Sequence, residues 1–479
     1  MNTDDLWPDH DVAWWQVLKI QTKLHQWSID DPRRRFCDLY NLVCDPAVLA
    51  EAWHRVKGNR GARSAGVDGQ TAHYISVVRG EEDFLTELRA DLKARTFVPQ
   101  PVRERMIPKA GGKLRRLGIA TVRDRVVQAA LKLVLEPIFE ADFHPCSYGF
   151  RPKRRAQDAI AEIHFLTSSS YNWILEGDIT ACFDEIDHTA LMDRVRNRIG
   201  DKRVLGLVKA FLNAGILSED GIERDTITGT PQGGILSPLL SNIALSVLDD
   251  HLVGAWQESM GDFNSRRKRR RHGLPNYRLV RYADDFVVLV DGTEADTEGL
   301  REEVAAVLAS MGLRLSEEKT RIVHIDEGFD FLGFRIQRHQ KRGTAKHYVY
   351  TYPSKAALAR VKAKVKRATQ GATDQSLAIL IHRLNPVLRG WTNYFRHGVS
   401  KETFSYLRAY LWRRVICWLR HKEPRASWKR IRRRHLDGWW PVDGEVVLFN
   451  PGAVAVTRYR YRGNRIPSPW AASTMEEAA

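Results

Sequence analysis

The stretch YRLVRYADDFVVLVDG, Tyr277 to Gly292, sets two adjacent aspartates, Asp284 and Asp285, between two apolar runs rich in β-branched and aromatic residues. Neighbouring carboxylates repel each other and avoid apolar surroundings unless something holds them there. The flanking runs read as two strands. The aspartates then fall at the turn of a hairpin, where charge can face a cleft while both arms stay buried. Turns favour Asp for local reasons, so the pair alone is explained by a solvated turn. A second segment changes that balance. NWILEGDI reads as a short buried strand ending on Asp178, with Phe183 shortly after it. A strand-end carboxylate beside a hairpin carboxylate pair is the ligand set for phosphoryl transfer on two Mg2+ ions ~3.5–4 Å apart, with hard oxygen ligands drawn from separate segments. A filled site also explains why the carboxylates crowd together. Asp184 and Asp187 lie close by, but they read as caps for a helix beginning near His188.

The elements that would position these residues follow from hydrophobic periodicity. Residues 1 to about 100 are mostly helical, with a Gly-rich basic loop, NRGARSAGVDG, between amphipathic pieces. VRERMIPKAGGKLRRLGIA reads as a hairpin turning at Gly111-Gly112. Helices are expected over TVRDRVVQAALKLVLEPIFEADF, over RPKRRAQDAIAEIHFL from just after Pro152, and over HTALMDRVRNRI and KRVLGLVKAFLNAG. GTPQGGILSPLLSNIALSVLDDHLVGAW is a Gly/Pro loop running into a long helix. The basic insert NSRRKRRRHG reads as a solvated loop or an RNA-backbone contact. TRIVHI and HYVYTY are strands. After Pro353 the pattern becomes helical, basic and aromatic, and EVVLFNPGAVAVTRYRYRG in the tail suggests short strands.

The chain has 479 residues and a formal net charge of +17. Such an excess calls for a polyanionic partner, and nucleic acid is the default. No apolar run is long enough to span a bilayer, and the start lacks the order of a signal peptide. The expectation is therefore a cytoplasmic protein without a membrane partner. The five cysteines are scattered and form no CxxC pair, which argues for buried free thiols and against a zinc module. Between Lys401 and Arg434 the formal charge is +10, and half of the 14 tryptophans lie at or after Trp391. Aromatics among cations suit RNA, through phosphate pairing and base stacking. They equally suit a helical bundle with Trp inside and Arg outside.

YADD after an apolar strand, GDITACFDEIDH upstream, GTPQGGILSPLLSNIAL between them and FLGFRI afterwards resemble reverse transcriptases. Their order is similar to that of proteins encoded within bacterial group II introns. IPKAGGKLRRLGIATVRDRVVQAAL, HPCSYGFRPKRRAQDAI and VLRGWTNYFRH are particularly close to that family. The likeness runs from about residue 45 to RYRYRGNRIPSPW. A single YADD is weak; several blocks in the same order are specific.

The resemblance implies an α+β fold, the right-hand polymerase. Residues 1–100 would form a helical N-terminal extension and the start of the fingers. Residues 101–352 would form fingers and palm, with an antiparallel palm sheet plus helices. Residues 353–425 would be an α-helical thumb or maturase domain, and 426–479 a small DNA-binding tail. Carried over residue by residue, it implies Asp178, Asp284 and Asp285 as the catalytic metal ligands. Phe183 would sit under the incoming sugar and favour dNTPs. Lys109 and Arg115 would hold the triphosphate, a point charge and a fork that suit phosphate oxygens; Arg116 could take the place of Arg115. Gln232 would pack beside the nucleotide, and Lys319 would donate a proton to pyrophosphate. Phe331, Leu332, Gly333 and Phe334 would position the primer end. Taken as residue types alone, these positions also fit a core aromatic, a solvated hairpin, a surface lysine and a tight turn between strands.

RNA contacts would come from Arg266, Arg267, Lys268, Arg269, Arg270 and Arg271 in the insert, and from Arg389, Trp391 and Arg396 in VLRGWTNYFRH. The implied partners are group II intron RNA, a target DNA with its primer, and dNTPs, with two Mg2+ ions and no zinc. The implied activity is RNA-templated DNA synthesis, joined to help in splicing the intron and copying it into DNA at a new site, where the protein would be nucleoid-associated. Many relatives add an endonuclease module with paired CxxC cysteines, which this chain lacks, so it is not expected to cut the second DNA strand itself. Three rivals stand beside this reading: a splicing factor with a dead polymerase domain, a free-standing reverse transcriptase of defence or repair, and an RNA-templated RNA polymerase. The intact aspartates oppose the first, the aromatic-basic C-terminal helices the second, and Phe183 the third.

Overall fold

The strand Asp285–Asp291 is an inner strand of a four-stranded sheet. Phe286 through Val290 are all buried, so it is covered on both faces, which is why it reads as a continuous apolar run. In the computed structural model it pairs antiparallel with Asn276–Tyr282 on one side and Trp173–Gly177 on the other. Arg321–His324 completes the four-stranded sheet. Residues 7–108, 114–218, 223–224, 228–230, 233–371, 373–463 and 465–471 are described.

Helices cover this sheet and fill the N-terminal half. Val122–Glu140 is buried along almost its whole length, with Thr121 capping its start, and Ser237–Ser259 is buried through its first four turns. The hairpin Val102–Pro108 and Leu114–Ile119 stands apart as a second sheet, extended by Ile216–Leu217 and Glu223–Arg224. A third, antiparallel sheet of Phe329–Phe331, Phe334–Gln340 and His347–Pro353 leads into three helices, Lys355–Ala368, Leu377–Phe395 and Lys401–Lys422. These helices have a core of their own, built around Leu380, Leu384, Leu411, Val415 and Trp418. Helices and largely antiparallel sheets thus occupy separate layers, an α+β arrangement. No helix among the described residues is long and apolar enough to cross a membrane.

The structure differs from the sequence-based expectation at four places. The helix expected from just after Pro152 begins at Ala156, because Lys153 takes a left-handed conformation (φ 56°) and Asp158 closes a capping box on Arg155. The basic insert is a helix, Phe263–Arg271. Asp262 accepts from the Asn264 and Ser265 N–H groups at its start, and four cations fall in its last turn, where the helix dipole favours them. Of the cysteines expected to be buried, Cys37 and Cys417 are exposed and Cys146 is half-buried. In the tail only Val446–Val447 of the expected strands is present, paired with Trp440–Asp443. From Val454 the described residues run back across the molecule without strand pairing. Arg462 bonds both oxygens of Asp158, and Trp470 donates to Gln21 at 3.1 Å.

Candidate active site

Strand register brings the three aspartates together. Gly177 faces Phe286 and Tyr282 faces Asp285, so the residue after Gly177, Asp178, comes level with Asp285. Asp284 sits in the turn between the two central strands, next to Ala283, which has φ 59°. The Asp178 carbonyl accepts from the Ser316 N–H at 2.8 Å, and its carboxylate accepts from the Lys319 ammonium at 2.8 Å. Asp285 opens to solvent, yet its carboxyl is pushed up to about 6. Loss of surrounding water is the largest cause, followed by the charges of Asp284 and Asp178. Lys319 is raised, chiefly by its hydrogen bond to Asp178.

As the side chains stand, no group of three His, Cys, Asp or Glu among the described residues is gathered closely enough to hold a metal ion. The donor chemistry nevertheless fits a divalent cation: three hard carboxylates whose mutual repulsion is visible in Asp285. The Lys319 ammonium already lies where Asp178 takes positive charge.

Two glycines and one buried ion pair hold this arrangement. A Cβ on Gly177 would lie 2.1 Å from the Phe286 ring, and one on Gly149 would lie 2.2 Å from the Ala283 nitrogen. The SYGF segment is laid against the aspartate turn by hydrogen bonds from Tyr148 N–H to Arg281 carbonyl and from Arg281 N–H to Cys146 carbonyl, both 2.8 Å. Arg281 is fully buried, pairs with the equally buried Asp249 and donates to the Ala283 carbonyl at 2.9 Å. Sequence reading missed Arg281, Asp249 and Gly149. Arg281 is one residue from the YADD block, but nothing local marks it as buried.

Phe183 is half-buried and meets Phe150, itself exposed, edge to face at 6.4 Å. Thr230 donates to the Phe183 carbonyl at 2.5 Å, and a Cβ on Gly229 would lie 2.6 Å from that carbonyl oxygen. Gly229 and Thr230 are thereby laid on the Phe183 turn, whereas Gln232 lies outside the described residues, as does Lys109. Arg115 is exposed on the strand Leu114–Ile119, and Arg116, on the opposite side of that strand, is 3.6 Å from Glu104. Asp187 caps the helix His188–Arg198 by accepting from the Ala190 N–H at 2.8 Å, whereas Asp184 falls inside the short helix Cys182–Glu185 and is not the N-cap residue of either helix. Phe331 and Phe334 are buried, and between them Leu332 and Gly333 make a two-residue turn with φ 48° and 82°. The Tyr394 hydroxyl donates to the Leu332 carbonyl at 2.9 Å, which ties that turn to the helix Leu377–Phe395.

The basic insert divides into two sets. Arg266 bonds the Met260 and Gly261 carbonyls, Arg269 bonds Pro275, and Arg270 pairs with Asp291, so these three fasten the helix to the protein. Arg267, Lys268 and Arg271 are exposed. Arg389 is exposed and lies 5.6 Å from the Phe449 ring. Trp391 packs on Phe395 and Phe404, and Arg396 is half-buried beside the tail, its carbonyl accepting from Thr457.

Comparison with known proteins gives two family matches. The family described as "Reverse transcriptase (RNA-dependent DNA polymerase)" matches residues 107–336. The family described as "Group II intron, maturase-specific domain" matches residues 358–436. Protein YkfC of Escherichia coli K12 is 39% identical over 359 residues, covering 71% of this chain and 93% of that protein. The group II intron-encoded protein LtrA of Lactococcus lactis is 32% identical over 375 residues. That match covers 69% of this chain but 61% of LtrA. The mitochondrial nuclear intron maturase 1 of Arabidopsis thaliana is 25% identical over 304 residues, covering 47% of this chain and 42% of that protein.

Proposed function

This chain belongs to the family of group II intron reverse transcriptases that carry a maturase domain, and from that premise we propose that it copies RNA into DNA at Asp178, Asp284 and Asp285 and binds its parent intron RNA to assist splicing and mobility. The register that sets Asp178 level with Asp285, beside Asp284, carries the reading. In this reading the four-stranded sheet is the palm, the Val102–Ile119 hairpin lies in the fingers, the helices from Lys355 to Lys422 are the thumb, and the tail is a DNA-binding segment. The family uses divalent metal ions. Here two Mg2+ held by the three aspartates would neutralise charge on the phosphates and lower the pKa of the primer 3′-hydroxyl.

The remaining roles fall to the chain's own groups. Lys319, whose ammonium lies 2.8 Å from the Asp178 carboxylate, would give a proton to the departing pyrophosphate. Phe183, braced by Phe150, closes the space a 2′-hydroxyl would need. Lys109, Arg115 and Gln232 would hold the nucleotide. The Leu332–Gly333 turn would hold the primer end. Arg267, Lys268, Arg271, Arg389 and Arg396 would meet RNA phosphates. The test is a double substitution, Asp284→Ala with Asp285→Ala. It should abolish primer extension on an RNA template while binding of the intron RNA persists; undiminished synthesis would sink the assignment.

A further inference from the structure

One wide groove lies away from the three aspartates. It has a volume of about 1180 Å³, larger than the ~300–1,000 Å³ of an ordinary small-molecule site. Its walls are the helix Ala156–Thr167, the edge strand His347–Pro353, the Gly398–Lys401 turn and the returning tail from Val456 to Tyr461. No Asp or Glu lines it among the described residues, whereas Lys341, Lys401, Arg458 and Arg460 all do.

The tail explains how this surface is made. In TRYRYR, tyrosine and arginine alternate along an extended chain, so successive side chains point to opposite sides. Tyr459 donates to Asp158 at 3.0 Å and Tyr461 donates to Glu162, both on the helix Ala156–Thr167. The carboxylates are thus consumed beneath the strap, while Arg458 and Arg460 stay exposed above it. Tyr461 stacks on Phe165, with ring centroids 4.7 Å apart and planes 13° from parallel. Both rings remain open to solvent, Phe165 at 51% and Tyr461 at 38%, and Tyr348 across the groove is 45% exposed. Stacked aromatics left open to water beside unopposed cations suit bases that stack and phosphates that pair.

We infer that this groove binds an unpaired stretch of RNA, gripping its backbone through Lys341, Lys401, Arg458 and Arg460 and stacking its bases on Phe165, Tyr348 and Tyr461. The inference rests on the reading above that intron RNA is the partner. It adds a second RNA-binding site, built where residues 456–461 lie over the helix Ala156–Thr167, and it gives this stretch of the tail to RNA and leaves DNA binding to the rest of the tail. Unpaired RNA fits better than a duplex, because base faces are available for stacking only when unpaired. Binding is expected to be sequence-tolerant and strongly salt-dependent.

The test uses the full chain with an excess of unlabelled primer–template duplex to occupy the polymerase cleft. A fluorescein-labelled twelve-nucleotide oligouridine is then titrated by anisotropy. Arg458→Ala with Arg460→Ala should weaken binding roughly tenfold or more and flatten the salt dependence; Phe165→Ala should weaken it by a similar factor. In the unsubstituted protein, 4-thiouridine in the same oligonucleotide should crosslink to peptides containing Phe165, Tyr348 or Tyr461. Equal binding by the substituted and unsubstituted proteins, or crosslinks that all map elsewhere, would overturn the groove. Equal affinity for the deoxy oligonucleotide would overturn the assignment to RNA. Primer extension run in parallel separates the two claims. RNA held in the groove by a protein that makes no DNA would leave the groove standing and remove the polymerase reading; DNA synthesis with no groove binding would do the reverse.

Discussion

Arg281 and Asp249 form a two-pronged ion pair, Nε to Oδ1 at 2.8 Å and Nη2 to Oδ2 at 2.5 Å, with no solvent exposure on either side chain. The remaining arm of Arg281 reaches the Ala283 carbonyl and the Asn242 side chain. A buried charge without its partner is costly, so the pair locks the backbone beside Asp284. Arg281 acts through the turn it holds and is a positioning residue.

Removal of either partner should therefore cost about 3–5 kcal/mol. Arg281→Met and Asp249→Asn, compared with the parent by urea denaturation, should each show a loss of that order. The double variant Arg281→Met with Asp249→Leu should lose less than the sum of the singles, since no charge is left stranded. Single losses below about 1 kcal/mol would mean that the pair does not support the turn.

The two glycines beside the aspartates should respond differently to repair. Gly177→Ala drives a methyl into the Phe286 ring, and Gly149→Ala drives one into the Ala283 backbone. Both should lose primer extension. A second change, Phe286→Leu, opens space only for the first, so synthesis should recover in Gly177→Ala and not in Gly149→Ala. Equal recovery in both would show that contact with Phe286 is not what limits Gly177.

Phe183 should set the choice of sugar. Its ring is braced edge to face by Phe150. Phe183→Ala should lower the ratio of kcat/KM for dNTPs over rNTPs by roughly 10- to 100-fold, the range expected when a steric contact is removed. Phe150→Ala should give a smaller drop in the same direction. A ratio unchanged in Phe183→Ala would return this residue to a packing role.

Asp201 should give the fold an acid-sensitive joint. Its carboxylate accepts from the Leu39 and Tyr40 N–H groups at 2.9 Å and from Arg203, fastening the N-terminal segment to the helix Lys202–Leu212. Burial alone would raise its pKa, but these hydrogen bonds outweigh it and bring the carboxyl down to about 2. A depressed folded-state pKa contributes stability above the ordinary value of about 3.9, and that contribution is lost as pH falls through about 2. Asp201→Asn should cost on the order of 2 kcal/mol at pH 7. The difference from the parent in thermal unfolding should close as pH falls from about 4 toward 2. A gap that is constant with pH would locate the effect in packing.

Much of the site could be read in the chain because its signals are local. An apolar run that breaks at Asp284 and Asp285 declares a covered strand meeting a charged turn. Asp187, placed just before an amphipathic segment, declares a cap. The FLGF turn is legible for the same reason: its glycine and its flanking aromatics both act within a few residues. Periodicity and capping report which residues prefer burial or a helix end, and those preferences need no distant partner.

The rest depended on segments far apart in sequence. Asp249, inside a long helix, looks like an ordinary surface acid until Arg281 arrives to pair with it. Three cations of the basic insert fold inward because Met260, Pro275 and Asp291 supply acceptors, while the other three do not. The tail reads as short strands from its alternating pattern. It instead lies as an unpaired strap, because Asp158 and Glu162, about 300 residues earlier, take its tyrosines and Arg462. Residue type and spacing alone marked a covered strand that meets a pair of carboxylates at a turn, and a large excess of positive charge. The partner of each buried charge, and where the basic tail lies, were decided by tertiary structure, because an ion pair or hydrogen bond is short-ranged in space and indifferent to distance along the chain.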